Sequence, residues 1–507
     1  MRYRIVALVC ATLAVAASAS AQSSPTRRLS RAELENRIRG GWAGQMIGVS
    51  YGAPTEFRSN RRIIRWPLAW KPDAVTNAIE QDDLYVEMTF AEVLDKVGLD
   101  ATTEQFGEMF KNSKYELWHA NASARYLLNR GIRAPWSGHP KYNPHANDID
   151  FQIESDFIGL MTPGLPQVAN AFADRVGRVM NHGDGLYGGM FFGGMYAAAF
   201  FETDPRKIVE AGLASIPAGS GYGRIIRDVL DWSATEPDWH VTWQRLTDKW
   251  DRDDVCPDGA LNDFNIDARL NGAFVALGLL YGRRDFATTL EVATRAGQDS
   301  DCNPSSAAGI LGVMLGYDAI PDEWKAGIPA IADTKFEFTN YSFNEITAST
   351  VARALKVVER AGGRVTDSEV VVPVQMPKAP PLEQWDVDAP SALLESLNGA
   401  WTWSDGRQEK VWRERRAMSA ERPGAHATLR FNGTGVAIVG DFDEAGGQAD
   451  VILDGAPAGT IDARPVPHTN DDVYWHVTGL KPGAHTVEVR LREPGAIAIA
   501  SAVVHGK

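Results

Sequence analysis

The hydrophobic periodicity of the chain changes near residue 365, and this change constrains the fold more than any other feature. Before it, apolar residues recur at helical spacing. After it, short segments alternate apolar and polar residues and end in turn sequences such as Asn432-Gly433. The pattern therefore predicts an all-α main domain followed by a smaller all-β sandwich that is jelly-roll-like. The helical segments are 34–47, 84–97, 168–180, 189–201, 208–213, 270–280 and 346–358, and the clearest strands are 427–431, 435–439, 450–453 and 486–491.

The boundary between the two parts lies in a proline-rich segment. Residues 369–382 contain four prolines, which is typical of an extended linker. A chain of 507 residues is also long enough for more than one core. We therefore predict an all-α domain over residues 28–365, a linker over 366–384 and a β-sandwich domain over 385–507.

The first residues are typical of a secretory signal. Arg2 and Arg4 precede an apolar run over residues 5–17, and small residues follow at 19–21. This pattern predicts a signal peptide over residues 1–21 and a periplasmic or secreted protein, with an uncleaved anchor helix as the alternative. No later segment is long and apolar enough to cross a bilayer, so we expect no membrane insertion after signal removal. Cleavage would leave Cys256 and Cys302, which we interpret as separate thiols.

The charge of the chain excludes one class of partner. The formal net charge is -14, so there is no electrostatic reason to expect binding of a nucleic acid polymer.

Two acidic clusters in the sequence indicate metal binding. One is Gln81-Asp82-Asp83, and the other contains Asp299 and Asp301; each precedes a predicted helix. Either cluster alone is explained by capping of a helix. Together they offer the several oxygen ligands that Mg²⁺ prefers.

Several motifs in the predicted helical domain resemble those of one family. The segments 40–48 and 52–56 resemble the opening of ADP-ribosylglycohydrolases. Asp82-Asp83, residues 181–184 and residues 297–316 resemble the first acidic motif, the central His-Gly segment and the closing Gly-x-Asp-x-Asp motif of that family. The motifs occur in the family's order between about residues 37 and 324, which makes the resemblance specific.

The resemblance implies an all-α domain with Mg²⁺ in a cleft and cleavage of ribosyl glycosidic bonds. Carried over residue by residue, it makes Asp82, Asp83, Asp299 and Asp301 the metal ligands. It makes Glu56 a candidate base for the attacking water, with Asp83 and Asp299 as the other catalytic candidates. The cofactor expected is one or two Mg²⁺ ions, with Mn²⁺ or Ca²⁺ as alternatives.

Five further residues are candidates for substrate binding. Gln81 offers a carbonyl oxygen beside the first acidic pair, and His182 is placed to orient a substrate hydroxyl unless it is a satisfied buried histidine. The remaining candidates are Asp156, Asp184 and Asn303, of which Asn303 is equally explained as a helix cap.

The chain departs from the family pattern at several positions. Gln81 and Leu84 stand where the family usually has hydroxyl residues, and Cys302 stands where it usually has threonine. Because soft sulfur is a poor ligand for Mg²⁺, we expect one firmly held ion and a second that is weaker or absent. Glu154 and Asp156 stand where the family often has Gly-Asn-Gly. These acids would repel a pyrophosphate, so ADP-ribose is not carried over as the substrate.

The sequence thus predicts a metal-dependent glycohydrolase that cleaves an N- or O-glycosidic bond of a ribosyl-like or other glycosyl substrate outside the cytoplasm. Its expected partner is a small-molecule or glycosylated substrate. Two alternatives remain open. One is a glycan or plant-glycoside hydrolase on the same fold, and the other is a catalytically inactive sugar- or nucleotide-binding protein.

Overall fold

The structure is a computed structural model that describes residues 25–252, 254–259, 261–383, 385, 387–395, 400–405, 407–410, 416–470 and 472–506. The predicted signal peptide lies outside the described residues. The α-helices, α1 to α17 in chain order, are Arg31–Gly52, Asp82–Val97, Thr103–Lys111, His119–Asn129, Asp150–Ile153, Asp156–Leu160, Pro166–Gly177, Gly183–Ala199, Pro205–Ala214, Gly221–Ser233, Trp239–Trp250, Ala268–Gly282, Phe286–Arg295, Cys302–Leu315, Asp322–Lys325, Ile328–Ile331 and Phe343–Arg360. Short 3-10 helices are Ala53–Thr55, Pro72–Glu80, Trp136–Gly138 and Tyr317–Ala319.

Helix α1 is buried along most of its length and organises the helical part. Its start is fixed by Ser30, whose hydroxyl accepts a hydrogen bond from the Glu33 amide at 3.0 Å. Trp42, at its middle, is fully buried and donates from Nε1 to the Thr350 hydroxyl at 3.1 Å. The helix therefore runs through the core and fixes the position of the residues that follow it.

Glycines on one face of α1 allow it to pack directly on α14. A Cβ atom at Gly44, Gly48 or Gly52 would lie 2.0 to 2.2 Å from a backbone carbonyl oxygen of Ala308, Pro304 or Ser300. No side chain fits at such distances, so the close approach requires glycine. As a result, the end of α1 lies beside the start of α14.

A small antiparallel sheet joins the two ends of the helical part. Its strands are β1 (Thr26–Ser30), β2 (Arg364–Val365) and β3 (Glu369–Pro373), in the order β1-β3-β2. Strand β3 lies within the segment that the prolines predict to be a linker, and its Val370 and Val372 belong to the core of the helical part. That segment is therefore partly packed structure, and the domain boundaries themselves stay a prediction.

The C-terminal part consists of two antiparallel sheets around a separate hydrophobic core. Its strands β4 to β14 are Pro390–Glu395, Trp401–Trp403, Arg407–Lys410, Arg416–Ala420, His426–Gly433, Gly435–Asp441, Gln448–Leu453, Ala456–Asp462, Val473–Val477, Gly483–Leu491 and Ile497–His505. One sheet has the order β11-β10-β13-β8-β5, and the other has the order β12-β9-β14-β7-β6, with β4 paired to β14. The predicted fold class, a helical main domain with a β-sandwich, is confirmed.

The sandwich contacts the helical part just before α4. The backbone of Leu117 accepts a hydrogen bond from the Asn470 amide at 3.0 Å and donates one to the His468 carbonyl at 3.1 Å. Nearby, Arg130 and Asp462 form an ion pair at 2.6 Å. The segment that ends at Leu117 is therefore held by both parts.

Two expectations about the chain's chemistry and environment can be compared with this fold. Cys256 and Cys302 are buried as free thiols, as the sequence predicts. No helix among the described residues combines the length and the apolar composition needed to span a bilayer.

Candidate active site

A cleft of about 630 Å³ lies where the starts of α2, α4, α5 and α14 meet the loop after α1. Its walls contain acidic residues from five separate segments together with several aromatic side chains. Among the residues that line it are Glu56, Glu80, Gln81, Asp82, Tyr85, Trp118, His119, Asn121, Asp150, Asp258, Phe264, Asp299 and Cys302.

The loops that carry Glu56 and Asp299 are bonded to each other. The hydroxyls of Thr55 and Ser300 share a hydrogen bond of 2.7 Å, and the amide of Phe57 donates to the carbonyl of Gln298 at 3.1 Å. Phe57 and Gln298 both have left-handed backbones, with φ of 48° and 56°. Such strain in non-glycine residues persists only where surrounding contacts hold the chain, and it is frequent at functional sites.

The first acidic pair lies at the start of α2, where Asp83 is buried and Asp82 is partly exposed to the cleft. Capping is the simplest structural explanation for acids at a helix start. Asp82 does accept a hydrogen bond from the Asp83 amide at 3.2 Å. Neither carboxylate oxygen of Asp83, however, has a hydrogen-bond partner among the described residues. Capping therefore does not account for Asp83.

The second acidic pair lies at the start of α14. Donor atoms of Asp299, Asp301 and Cys302 all lie within 4.8 Å of one another, and all three side chains are buried. Asp301 makes no side-chain capping bond, and Asp299 Oδ1 has no partner in the described part of the chain. Side-chain capping of the helix therefore does not account for Asp301.

The carboxyl groups of the cleft perturb one another. Burial, followed by the charges of Asp82 and Asp301, raises the pKa of Asp83 well above its ordinary value. Burial also raises the pKa values of Asp299 and Asp301. The Glu56 side chain is exposed at the cleft, yet partial burial of its carboxyl group and the charges of Asp301 and Asp82 raise its pKa to about 8. The site holds more negative charge than its own residues neutralise.

Two further acids lie behind the cleft rather than on its wall. Glu87 is fully buried and its Oε2 accepts from the Phe157 amide at 2.8 Å. Asp156 accepts a hydrogen bond from the Tyr196 hydroxyl at 2.8 Å, and burial raises the pKa of its carboxyl group to about 8. The charge of Asp156 in turn raises the pKa of Asp83. Asp156, which the sequence predicts to bind substrate, therefore lies behind the cleft wall and affects the cleft through its charge.

The other predicted substrate-binding residues are not all brought together. Gln81 lines the cleft, with its amide donating to Asn77 Oδ1 at 3.0 Å. Asn303 is buried behind the cleft and donates to Asn271 Oδ1 at 3.0 Å. Asp184 lies away from the cleft and accepts a hydrogen bond from the backbone amide of Tyr222 at 2.9 Å.

His182 borders a different cavity. This cavity, of about 970 Å³, lies between the helical part and the β-sandwich and is also lined by Tyr126, Trp385 and Trp475. Burial lowers the pKa of His182 to about 4, although the carboxylate of Glu383 lies 3.5 Å from its Nδ1. The substrate role predicted for His182 stays a prediction, and it concerns this second cavity.

Sequence reasoning missed several residues of the cleft wall. His119 lies at the start of α4 and is mostly buried, and Asp150 accepts from the amides of Ala120 and Asn121 at 3.2 and 2.9 Å. Asp258 contacts His119 Nδ1 at 3.1 Å. The one available signal was the pair of acids at 148 and 150, which resembles the two pairs that were recognised.

The helical part of the chain matches one protein family, and the chain is similar to several solved structures. The model of the ADP-ribosylglycohydrolase family matches residues 30–357. Among solved structures, the chain is similar to an ADP-ribosylglycohydrolase-related protein complex at 16% identity, over 64% of this chain and 99% of that chain, with a TM-score of 0.41. It is also similar to a family two carbohydrate esterase from Cellvibrio japonicus, at 15% identity over 23% of this chain and 34% of that chain, with a TM-score of 0.20. A family 35 carbohydrate-binding module from Clostridium thermocellum is similar at 9% identity, over 24% of this chain and 99% of that chain, with a TM-score of 0.20. No curated protein matches the chain.

Proposed function

Since this chain belongs to the ADP-ribosylglycohydrolase family, we propose that it is a metal-dependent hydrolase of glycosidic bonds whose active site is the acidic cleft. The match confirms the resemblance predicted from the sequence motifs. Membership of the family suggests glycohydrolase activity, and the metal, the catalytic residues and the substrate are our proposal.

One observation carries the proposal: the described residues that line the cleft include many carboxylates but no lysine or arginine. Buried carboxylates without a cation must hold protons instead, which is consistent with their raised pKa values. The unpartnered oxygens of Asp83 and Asp299 fit a hard divalent cation. Asp82, Asp83, Asp299 and Asp301 would hold the ion, and we propose Mg²⁺ with Mn²⁺ or Ca²⁺ as substitutes.

A bound Mg²⁺ supplies a Lewis acid for water and for substrate hydroxyls. Glu56 is the residue best placed to accept the proton of an attacking water, because its carboxyl group borders the cleft. With the ion bound, Asp83 and Asp299 would be ionised. Their negative charge would stabilise the positive charge that develops on the sugar ring as the glycosidic bond breaks.

The lining of the cleft favours an uncharged glycoside over ADP-ribose. A pyrophosphate normally finds arginine, lysine or a row of backbone amides, and the described lining offers neither cationic side chain. Trp118, Tyr85 and Phe264 supply aromatic surface on which a sugar or base can stack. We therefore propose a nucleoside-like or simple glycosidic substrate.

A second candidate function is the hydrolysis of a longer glycan. It is favoured by the cavity between the helical part and the sandwich, where Trp385, Trp475 and Tyr126 present aromatic rings beside the polar side chains of His182 and His476. Such a surface suits several sugar units.

We also propose that the protein acts outside the cytoplasm. The basic, apolar and small-residue pattern of residues 1–21 supports export and removal of this segment. N-terminal sequencing of the exported protein should give a start near Gln22. A soluble cytoplasmic form that retains Met1 would contradict this proposal.

The enzymatic proposal is tested by a substrate screen with purified protein in Mg²⁺ and in EDTA. The panel contains ADP-ribosyl peptides, nucleosides, aryl glycosides and oligosaccharides. We expect cleavage of a nucleoside or aryl glycoside that EDTA abolishes and Mg²⁺ restores. Asp73→Ala removes an exposed acid outside the cleft and serves as the matched control for Asp299→Ala. If no glycoside is cleaved but sugars still bind, the chain is the inactive binding protein.

A further inference from the structure

A second cluster of ligand-type side chains lies beside the cleft and belongs to none of the family motifs. It contains His119, His145, Asp148 and Cys256. One donor atom from each residue, a ring nitrogen, a carboxylate oxygen or the thiol sulfur, lies within 4.8 Å of all the others. The four residues come from three segments that are far apart in the sequence, so their convergence is a property of the fold.

The distances within this cluster are close to those around one small ion. Asp148 Oδ2 lies 2.9 Å from His145 Nδ1, 3.0 Å from Cys256 Sγ and 4.0 Å from His119 Nδ1. Cys256 Sγ lies 3.4 Å from His145 Nδ1. In a tetrahedral site with bonds of about 2.0–2.3 Å, neighbouring donors lie about 3.3–3.8 Å apart. Shifts of a few tenths of an ångström would convert one arrangement into the other.

The burial of the cluster supports a ligand rather than a solvated polar patch. The exposed fractions are 0% for Cys256 and 1% for both His145 and Asp148. Asp148 Oδ1 has no hydrogen-bond partner among the described residues. A buried carboxylate with one unsatisfied oxygen is costly unless a cation neutralises it.

We propose that His119 Nδ1, His145 Nδ1, Asp148 and Cys256 Sγ bind a Zn²⁺ ion at a site separate from the acidic one. Two imidazoles and a thiolate beside a carboxylate form a ligand set that suits Zn²⁺, whereas Mg²⁺ prefers oxygen ligands throughout. On binding, the thiol of Cys256 releases its proton to solvent and the sulfur bonds to the metal. His119 exchanges its present contact with Asp258 for the ion.

The ion would fix one wall of the cleft. Cys256 lies in the loop that carries Asp258 and Phe264, and His119 is itself a lining residue with a left-handed backbone, φ 50°. His145 and Asp148 lie just before Asp150, which also lines the cleft. A single ion would thus tie three lining segments together. This role does not depend on which bond the acidic site cleaves.

Titration of the full-length mature protein with Co²⁺, in excess Mg²⁺ to saturate the acidic site, tests the proposal. Co²⁺ replaces Zn²⁺ in such sites, and thiolate ligation gives a charge-transfer band in the near ultraviolet. We expect one Co²⁺ per chain, the charge-transfer band, visible bands typical of four ligands, and displacement of Co²⁺ by Zn²⁺. No Co²⁺ or Zn²⁺ binding in excess Mg²⁺ overturns the proposal.

The two cysteines of the mature chain provide a matched pair of variants. Cys256→Ser should lose the charge-transfer band, whereas Cys302→Ser should keep it. The reverse result would place the sulfur ligand in the acidic site and overturn the proposal. His119→Gln leaves the thiol in place and should weaken Zn²⁺ binding at least about tenfold. If Cys256→Ser does not fold, unchanged Zn²⁺ affinity in His119→Gln overturns the proposal by itself.

Discussion

The cleft is bordered by two clusters of polar side chains that differ in the atoms they offer to a cation. The acidic cluster presents carboxylate oxygens, as in Asp83 and Asp299, and these suit Mg²⁺. The second cluster presents two imidazoles, a carboxylate and a thiol, and these suit Zn²⁺. Under our two proposals, donor chemistry would direct different cations to these neighbouring clusters.

The two clusters also differ in how they balance charge without a metal. Within the second cluster, the thiol of Cys256 and Nδ1 of His145 both contact Asp148, so hydrogen bonds compensate part of its charge. In the acidic cluster, burial and then the charges of Asp82 and Asp301 raise the pKa of Asp83. The acidic cluster should therefore gain more stability from a cation than the second cluster does. Because the second cluster combines nitrogen, oxygen and sulfur donors, it is called the mixed cluster below.

The largest effect is expected from Glu56→Gln. This change removes a proton acceptor at the cleft but none of the four proposed aspartate ligands, so the rate of glycoside cleavage should fall by about 10²–10⁴ while Mg²⁺ affinity stays nearly constant. Steady-state kinetics on the substrate found in the screen, together with calorimetric titration of Mg²⁺, measure the two quantities. A variant as active as the wild type would assign the base to another residue, with Asp83 and Asp299 next to be tested.

Asp299→Ala should separate the two clusters. It removes a charged oxygen ligand, so Mg²⁺ affinity should fall at least about tenfold, while the Co²⁺ charge-transfer band of the mixed cluster stays unchanged. Calorimetry and absorption spectroscopy on the same sample measure both, and Asp73→Ala is the control for loss of an acid. Equal and negligible Mg²⁺ binding in wild type and variant would reject the acidic site as a metal site.

The metal-free protein should lose stability as the pH rises. Burial raises the pKa of Asp156 from 3.8 to about 8, so between these values the folded state binds a proton that the unfolded state has released. The free energy of unfolding should fall across this window, by at most about 1.4 kcal/mol per pH unit for this one group. Urea unfolding in EDTA at several pH values measures the slope, and Asp156→Asn should flatten it. An unchanged slope would mean that Asp156 is already ionised in the folded protein.

The smallest effect is expected from deletion of residues 385–507. The helical part has its own core, so it should remain folded by circular dichroism. Its Mg²⁺ affinity should be unchanged, whereas Zn²⁺ affinity should fall a few-fold, because the sandwich holds Leu117 two residues before His119. Loss of the helical fold would mean that the two parts depend on one shared interface.

The acidic cluster could be predicted from sequence because its proposed ligands come in local pairs. Asp82 and Asp83 are adjacent, and Asp299 and Asp301 are two positions apart, each pair at the start of a helix. In the mixed cluster only His145 and Asp148 lie close together in the sequence. His119 and Cys256 are 137 positions apart in the chain, and only the left-handed turn at His119 and the loop before α12 bring them together.

Two other expectations show where local sequence patterns do not predict the surroundings of a residue. The prolines after residue 369 predict a linker, but the valines just before the first of them, Val370 and Val372, pack in the helical core because β3 pairs with β1. The segment 181–184 resembles the His-Gly motif of the family, yet His182 lies beside Glu383 in a cavity that residues of the β-sandwich also line. In both cases a segment that is distant in the sequence determines the surroundings of the residue, so the local sequence does not predict them.

The glycines of α1 make the acidic site vulnerable at a distance. An added methyl group at Gly44 would meet the Ala308 carbonyl, and one at Gly48 would meet that of Pro304. Either substitution would push α14 away and with it the loop that carries Asp299, although neither glycine is part of the cleft. Random mutagenesis should therefore recover inactive variants at glycines of α1 that lie one helical turn apart. Their second-site suppressors should appear on α14 rather than among the acids.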